Sequence, residues 1–300
     1  MSPVTVRVPA KVNLELVVGA QRDDGFHDLA TVYQAVSLFD DVTALPGDHL
    51  TVSVEGEGAD SVPNDDDNLA LVAARTLAEH LGVEPKAHLH IHKAIPVAAG
   101  LAGGSADAAG ALVALDRLWE AHLDRDELVE LAASVGSDVP FALVGHTAMG
   151  LGRGDELTPV LARGHFHWVF AFADGGLATP DVYRELDRLR GGSVLPEPRV
   201  SDAVMTALRA GNAVTLGGVL ANDLQRAAVA LRPNLTMTLD VGDEYGALGG
   251  LVSGSGPTCA FLARDEEHAL DLAVALTSSG TCRSVASAVG PVPGARVVDA

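Results

Sequence analysis

The chain has 300 residues, 48% apolar and 20% charged, with 32 glycines and 15 prolines scattered along it. That composition excludes a disordered, collagen-like or low-complexity protein, and the length admits two domains with sizeable cores. With 40 acidic against 20 basic residues the formal charge is −20, which argues against nucleic acid or an anionic membrane as partner, because both require a basic face.

Valine-rich residues 4–18 predict one or two strands broken at Pro9. Arg7, Lys11, Asn13 and Glu15 interrupt this stretch, so it lacks the continuous apolar core of a signal peptide. Gln21-Arg-Asp-Asp-Gly25 is turn chemistry, followed by strand patterns over 29–38, 41–45 and 50–54. After Asp65-Asp-Asp67, the stripe Leu69, Val72, Ala73, Leu77, Leu81 predicts a helix that stops at Gly82. Residues 87–92 alternate strictly and read as a strand; its His88, His90 and His92 form a solvated face rather than a metal site.

A glycine-rich stretch, 96–104, runs into a helix over 105–119 with Ser105 as its expected N-cap, and a further helix covers 126–134. From about Leu157 the pattern changes. A strand over 165–173 precedes helices over 180–190, 201–210, 216–231 and 233–245. Strands over 249–253 and 258–262 then flank Gly254-Ser-Gly256, before a helix over 266–277 and a strand over 283–288. Two cysteines, Cys259 and Cys282, are too few for a disulfide framework, and no apolar run reaches the eighteen or so residues of a membrane span. These features predict a soluble, reduced, cytoplasmic α+β protein in two units, 1–156 and 157–300.

The strongest local signal is Ile95-Pro-Val-Ala-Ala-Gly-Leu-Ala-Gly-Gly-Ser-Ala-Asp107. Small residues let the backbone approach a ligand, and the loop delivers its N–H groups to a helix N-terminus, where unpaired donors and the macrodipole favour an anion. A triphosphate can be cradled there with little cationic help. No Gly-Lys-Ser/Thr follows, so this is not a Walker A loop, and the spacing of Gly100, Gly103 and Gly104 breaks the dinucleotide fingerprint.

Pro96 to Ser105 resembles the P-x-x-x-G-L-x-G-G-S signature of the GHMP kinase superfamily, named for galacto-, homoserine, mevalonate and phosphomevalonate kinases. Pro9-Ala-Lys-Val-Asn-Leu14, Arg22-Asp-Asp-Gly-Phe-His27, Asp67-Asn-Leu69, Gly136-Ser-Asp-Val-Pro-Phe141, Thr179-Pro180, Asn222-Asp-Leu224 and Ser253-Gly-Ser-Gly-Pro-Thr258 are similar to one branch of it, in the same order over nearly the whole chain. The resemblance implies a two-domain GHMP kinase fold: a ribosomal S5-like N-terminal, ATP-binding domain over 1–156 and a ferredoxin-like α+β C-terminal domain over 157–300. It also implies transfer of phosphate from ATP, with Mg²⁺ carried on the nucleotide, to a hydroxyl of a cytidine diphosphate-linked methylerythritol in isoprenoid synthesis. Monomer and homodimer both remain open.

On that resemblance Asp138 accepts the hydroxyl proton, and Lys11 stabilises charge on the transferring phosphoryl group. Asn13, two residues on along the same strand face, orients the acceptor hydroxyl. Read without the family, Asp138 is also a candidate helix N-cap and Lys11 a solvated strand residue. The implied ATP contacts are Asn68, Lys93, Pro96, Val97, Ala98, Ala99, Gly100, Leu101, Ala102, Gly103, Gly104, Ser105 and Ala106. Ala106 stands where the family has a second serine or a small residue, so Ser105 is the one hydroxyl there for phosphate. Phe26, in place of the family's tyrosine, and His27 are implied to grip the cytosine, with Tyr183 beyond Thr179 stacking on its other face. The rival readings are another kinase of the superfamily, such as homoserine or mevalonate kinase, and a non-catalytic nucleotide-binding regulator.

Overall fold

The computed structural model describes residues 2–298, so Met1, Asp299 and Ala300, at the ends of the two predicted units, lie outside the described residues. The chain opens with two long antiparallel strands, β1 (Val4–Gln21) and β2 (His27–Leu45), followed by β3 (Thr51–Gly56), α1 (Leu69–Leu81) and β4 (His88–Lys93). Next come α2 (Gly103–Leu118), α3 (Arg125–Val135), α4 (Val139–Val144), β5 (Thr147–Leu151) and β6 (Glu156–Pro159). The second half runs β7 (Phe166–Phe172), α5 (Thr179–Arg190), α6 (Asp202–Ala210), α7 (Ala213–Gly217), β8 (Ala221–Asn222), α8 (Gln225–Leu231) and α9 (Asn234–Glu244). It ends with β9 (Gly249–Val252), β10 (Cys259–Ala263), α10 (Glu266–Ser279), β11 (Ser284–Gly290) and β12 (Arg296–Val298).

Strands β12-β1-β2-β4-β3 form the spine of the first sheet, with β5 and β6 beyond β2 and β8 on β1. The second sheet has the order β11-β7-β10-β9. The change of sheet falls between Pro159 and Phe166, and β12 returns the C-terminus to the first sheet, pairing Thr5 with Val298. One core joins Val6, Val8 and Leu112 of the first half to Phe166, Trp168 and Leu208 of the second. Inside it, Trp168 Nε1 donates to Gln34 Oε1 at 3.0 Å.

Three expectations need correction. Pro9 does not break β1. The strand runs through it with a register shift between Pro9 and Ala10, and β12 pairs only Thr5 to Arg7, so the ladder on that side asks no N–H of Pro9. The predicted helix 216–231 is three elements: Gly217-Gly218 ends α7, and Asn222 accepts from Leu224 N at 2.9 Å at the turn into α8. Ser105 is the third residue of α2, not its N-cap; the cap position is Ala102 at φ 59°. The short strands β5, β6 and β12 carry too little periodic pattern to be found locally.

Candidate active site

Between its pairings with β12 and β8, the middle of β1 has β2 on one side and, among the described residues, no strand on the other. The glycine loop docks into that gap, where Lys11 N–H bonds the Leu101 carbonyl at 3.3 Å. The loop is held from the second half of the chain as well. Ser253 Oγ donates to Gly100 O at 3.1 Å, and a Cβ at Gly100, whose φ is +76°, would lie 2.1 Å from the Ser253 carbonyl. Only glycine permits that approach. Asn222 Nδ2 donates to Val252 O at 2.6 Å and Gly254 O at 2.7 Å, fixing the segment that touches the loop.

Lys11 is buried, with its Nζ 2.7 Å from Asn13 Oδ1 and 3.9 Å from Asp138 Oδ2. Asn13 Nδ2 in turn donates to Thr31 Oγ1 at 2.8 Å, and Thr31 donates to Glu15 O at 2.7 Å, so the amide cannot rotate freely. Asp138 occupies the N-cap position of α4 but makes no capping hydrogen bond. Its Oδ1 accepts from Tyr33 OH at 3.1 Å, so the carboxylate faces the cleft rather than its own helix. Tyr33 stacks on Phe141 at 4.8 Å between ring centroids. Burial draws the Lys11 ammonium below the ordinary lysine value, opposed by the Asp138 charge. Burial, with Asp138 adding to it, pushes the Tyr33 phenol well up, which keeps it a donor.

These groups line a cleft of about 410 Å³ whose opposite wall is the glycine loop. Ala98, Ala99, Gly100, Ala102, Gly103, Gly104 and Ser105 face it, while Leu101 and Ala106 turn their side chains into the core. A second cavity of about 530 Å³ adjoins it and shares Leu29, Ser137, Arg153, Thr179 and Tyr183 with it. Phe26 and His27 lie there, with the His27 and Tyr183 rings 5.0 Å apart. His27 Nε2 lies 2.9 Å from Asp187 Oδ1, and Arg153 sits over the Phe26 ring at 5.4 Å.

The remaining predicted nucleotide residues line two smaller cavities that share Leu69, Ala98, Ala99 and Gly104 with the cleft. Asn68 caps α1 through Ala70 N at 2.9 Å and donates to Pro63 O at 2.8 Å, so both ends of its amide are engaged. The Lys93 ammonium is held by Asp40 and Asp107. Both residues border a smaller cavity of about 180 Å³ beside Gly104, which Val97 also lines, and Pro96 and Val97 line a further pocket of about 310 Å³. On the histidine strand, His88 bonds Thr51 and Ser53, and His90 bonds Ser53 and Glu55.

Sequence reasoning missed Tyr33, Arg153 and Asp187. Tyr33 is directly opposite Asn13 in the β1–β2 register, and Asp187 is one helical turn beyond Tyr183, signals that become readable only once the elements are paired. Arg153 lies on the turn between β5 and β6, neither of which the local pattern reveals.

The family models for the GHMP kinases N terminal domain and the GHMP kinases C terminal match residues 68–146 and 204–282. The 4-diphosphocytidyl-2-C-methyl-D-erythritol kinase of Thermobifida fusca is 57% identical over 303 residues, covering 98% of each chain. That of Streptomyces coelicolor is 57% identical over 297 residues, covering 99% of each. A crystal structure of 4-(cytidine 5'-diphospho)-2C-methyl-D-erythritol kinase superposes with a TM-score of 0.73 at 34% identity, covering 95% of this chain and 98% of the other. A homoserine kinase from Cytophaga hutchinsonii reaches a TM-score of 0.75 at 17% identity, a likeness of fold alone.

Proposed function

The chain belongs to the GHMP kinase family, and from that membership we propose that it phosphorylates the 2-hydroxyl of 4-diphosphocytidyl-2-C-methyl-D-erythritol, with ATP as donor, on the non-mevalonate route to isopentenyl diphosphate. The observation that carries the chemistry is the Lys11–Asp138 couple at 3.9 Å in a cleft walled by the glycine loop.

Phosphoryl transfer to an alcohol is mainly a matter of positioning and charge. Asp138 Oδ2 is the proton acceptor: as the acceptor oxygen bonds to the γ-phosphorus, its proton passes to the carboxylate and the bond to the β-phosphate oxygen breaks, leaving ADP. Lys11, behind the transferring group, offsets the charge that builds there. Asn13, locked by Thr31, orients the hydroxyl, and Tyr33 fixes the direction of the Asp138 carboxylate. The free N–H groups at the start of α2 hold phosphate without adding charge. The Mg²⁺ that the kinase reading implies would arrive on the nucleotide phosphates. That ion supplies charge neutralisation on the phosphates.

The adjoining cavity suits the cytidine diphosphate portion. Tyr183 and Phe26 offer aromatic faces, His27 a polar edge, and Arg153, which lines both cavities, a cation between the base and the reacting hydroxyl. Phosphate transfer assayed on cytidyl-linked, uridyl-linked and unlinked alcohol acceptors tests this reading. The cytidyl acceptor should show by far the highest kcat/KM; equal use of homoserine or mevalonate would assign the chain to another activity of the superfamily.

A further inference from the structure

The glycine loop contains two strained residues, Ala98 at φ 51° and Ala102 at φ 59°. A non-glycine residue in this region costs about 1–2 kcal/mol and persists only where its surroundings hold it there. Beneath the loop lies a buried charge cluster that fixes its two ends. Asp40 Oδ1 accepts the N–H groups of Ala94 at 2.7 Å and Ile95 at 2.8 Å, where the chain leaves β4. Lys93 Nζ bonds Asp40 Oδ2 at 2.5 Å and Asp107 Oδ2 at 2.7 Å, and Asp107 stands in the first turns of α2, where the loop ends. One ammonium therefore ties the entry of the loop to its exit.

The cluster is unbalanced. Two carboxylates face one ammonium, all are at least 96% buried, and Asp107 Oδ1 has no hydrogen-bond partner. The ammonium is 3.5 Å from where a side chain at Gly103 would begin, so the cluster, one negative charge in surplus when both carboxylates are ionised, lies behind the first residue of α2. The charged side chains that face Asp107 are Lys93 from β4, Asp40 from β2 and, across the small cavity it lines, Asp67 before α1. Burial pushes the Asp107 carboxyl up to about 7, with Asp40 adding to the rise and Lys93 opposing it. A proton on Oδ1 removes the surplus charge without breaking the bond from Lys93 to Oδ2.

We propose that Asp107 is a positioning residue for the nucleotide, closing the base of the glycine loop through Lys93, and that a polyphosphate entering the loop draws a proton onto its unpaired oxygen. This rests on the reading that the loop seats the phosphates of ATP. Linkage fixes the sign: if bound phosphate favours the protonated carboxyl, protonation favours bound phosphate, so affinity falls as pH rises through neutrality.

The test is calorimetric binding of the β,γ-imido analogue of ATP with Mg²⁺ to the full chain, in buffers of different ionisation enthalpy, which counts protons taken up. Near pH 7.5 the wild type should take up about half a proton more than Asp107→Asn, whose amide keeps the shape and removes the charge. Between about pH 6.5 and 8.5 the wild-type Kd should weaken roughly three- to tenfold more than that of the variant. Asp107→Ser gives the same comparison if the asparagine variant does not fold. Equal proton uptake by wild type and variants would overturn this inference alone. Absence of nucleotide binding by the wild type would overturn the kinase reading and the inference with it.

Discussion

Asp138 is a helix-capping position that does not cap, and that departure assigns its carboxylate to the cleft. Tyr33 holds one oxygen, and the other faces Lys11. Asp138→Asn keeps the shape but cannot take a proton, so kcat should fall about 10²- to 10⁴-fold while nucleotide Kd, measured by calorimetry, stays within a few-fold. Near-normal kcat would remove Asp138 from the reaction. Lys11 supplies a pH signature. Its pKa lies below the ordinary 10.5, so as pH rises the ammonium is lost earlier than in an exposed lysine, and kcat should decline on an alkaline limb below that value. Lys11→Arg, which keeps its charge throughout, should move that limb upward; an unmoved limb would assign it to another group.

The elements matter through how loops dock on one another. The glycine loop is shaped by more than its own residues: the Ser253–Thr258 segment, which joins β9 to β10, leans on it. Gly100→Ala brings a Cβ to 2.1 Å from the Ser253 carbonyl at a backbone angle that L side chains avoid. The clash cannot be relieved without moving one loop. The substitution should cost about 1–3 kcal/mol and raise KM for ATP more than KM for the cytidyl acceptor, as thermal melts and steady-state kinetics would show. An equal rise in both constants would mean that the two loops act as a single wall for both substrates.

Over the whole molecule, two sheets share one core. Trp168 of the second sheet is fully buried and bonds Gln34 of the first, and β12 closes against β1 after the second half is complete. Separating the halves would expose Phe166, Trp168, Phe170 and Phe172 together. Unfolding in urea should therefore be a single transition, with the fluorescence of Trp119 and Trp168 and far-UV circular dichroism coincident. Two resolved transitions would show that the halves are independent. The charge of −20 also acts at this scale. On the proposed function, an anionic substrate would approach against the overall field and be held by local donors, chiefly Lys11, Arg153 and the start of α2.

Much of this was legible in one dimension because it depends on neighbours in sequence. The Leu69-to-Leu81 stripe with its Gly82 stop, the alternation of residues 88–92 and the small-residue run before α2 each encode a local geometry, and the structure has α1, β4 and the loop in those places. The motif likeness also singles out Lys11 and Asp138, which the structure brings to 3.9 Å. Other features lie beyond such patterns. Strand register decides that Tyr33 stands opposite Asn13, and burial decides that the Lys93 charge is engaged by Asp40 and Asp107. Local pattern carries periodicity and turn preference; which distant side chains meet, and in how little water, is set when the two sheets close on one core. For this protein the order of residues specified the parts of a phosphate seat, and only packing selected the groups that would work there.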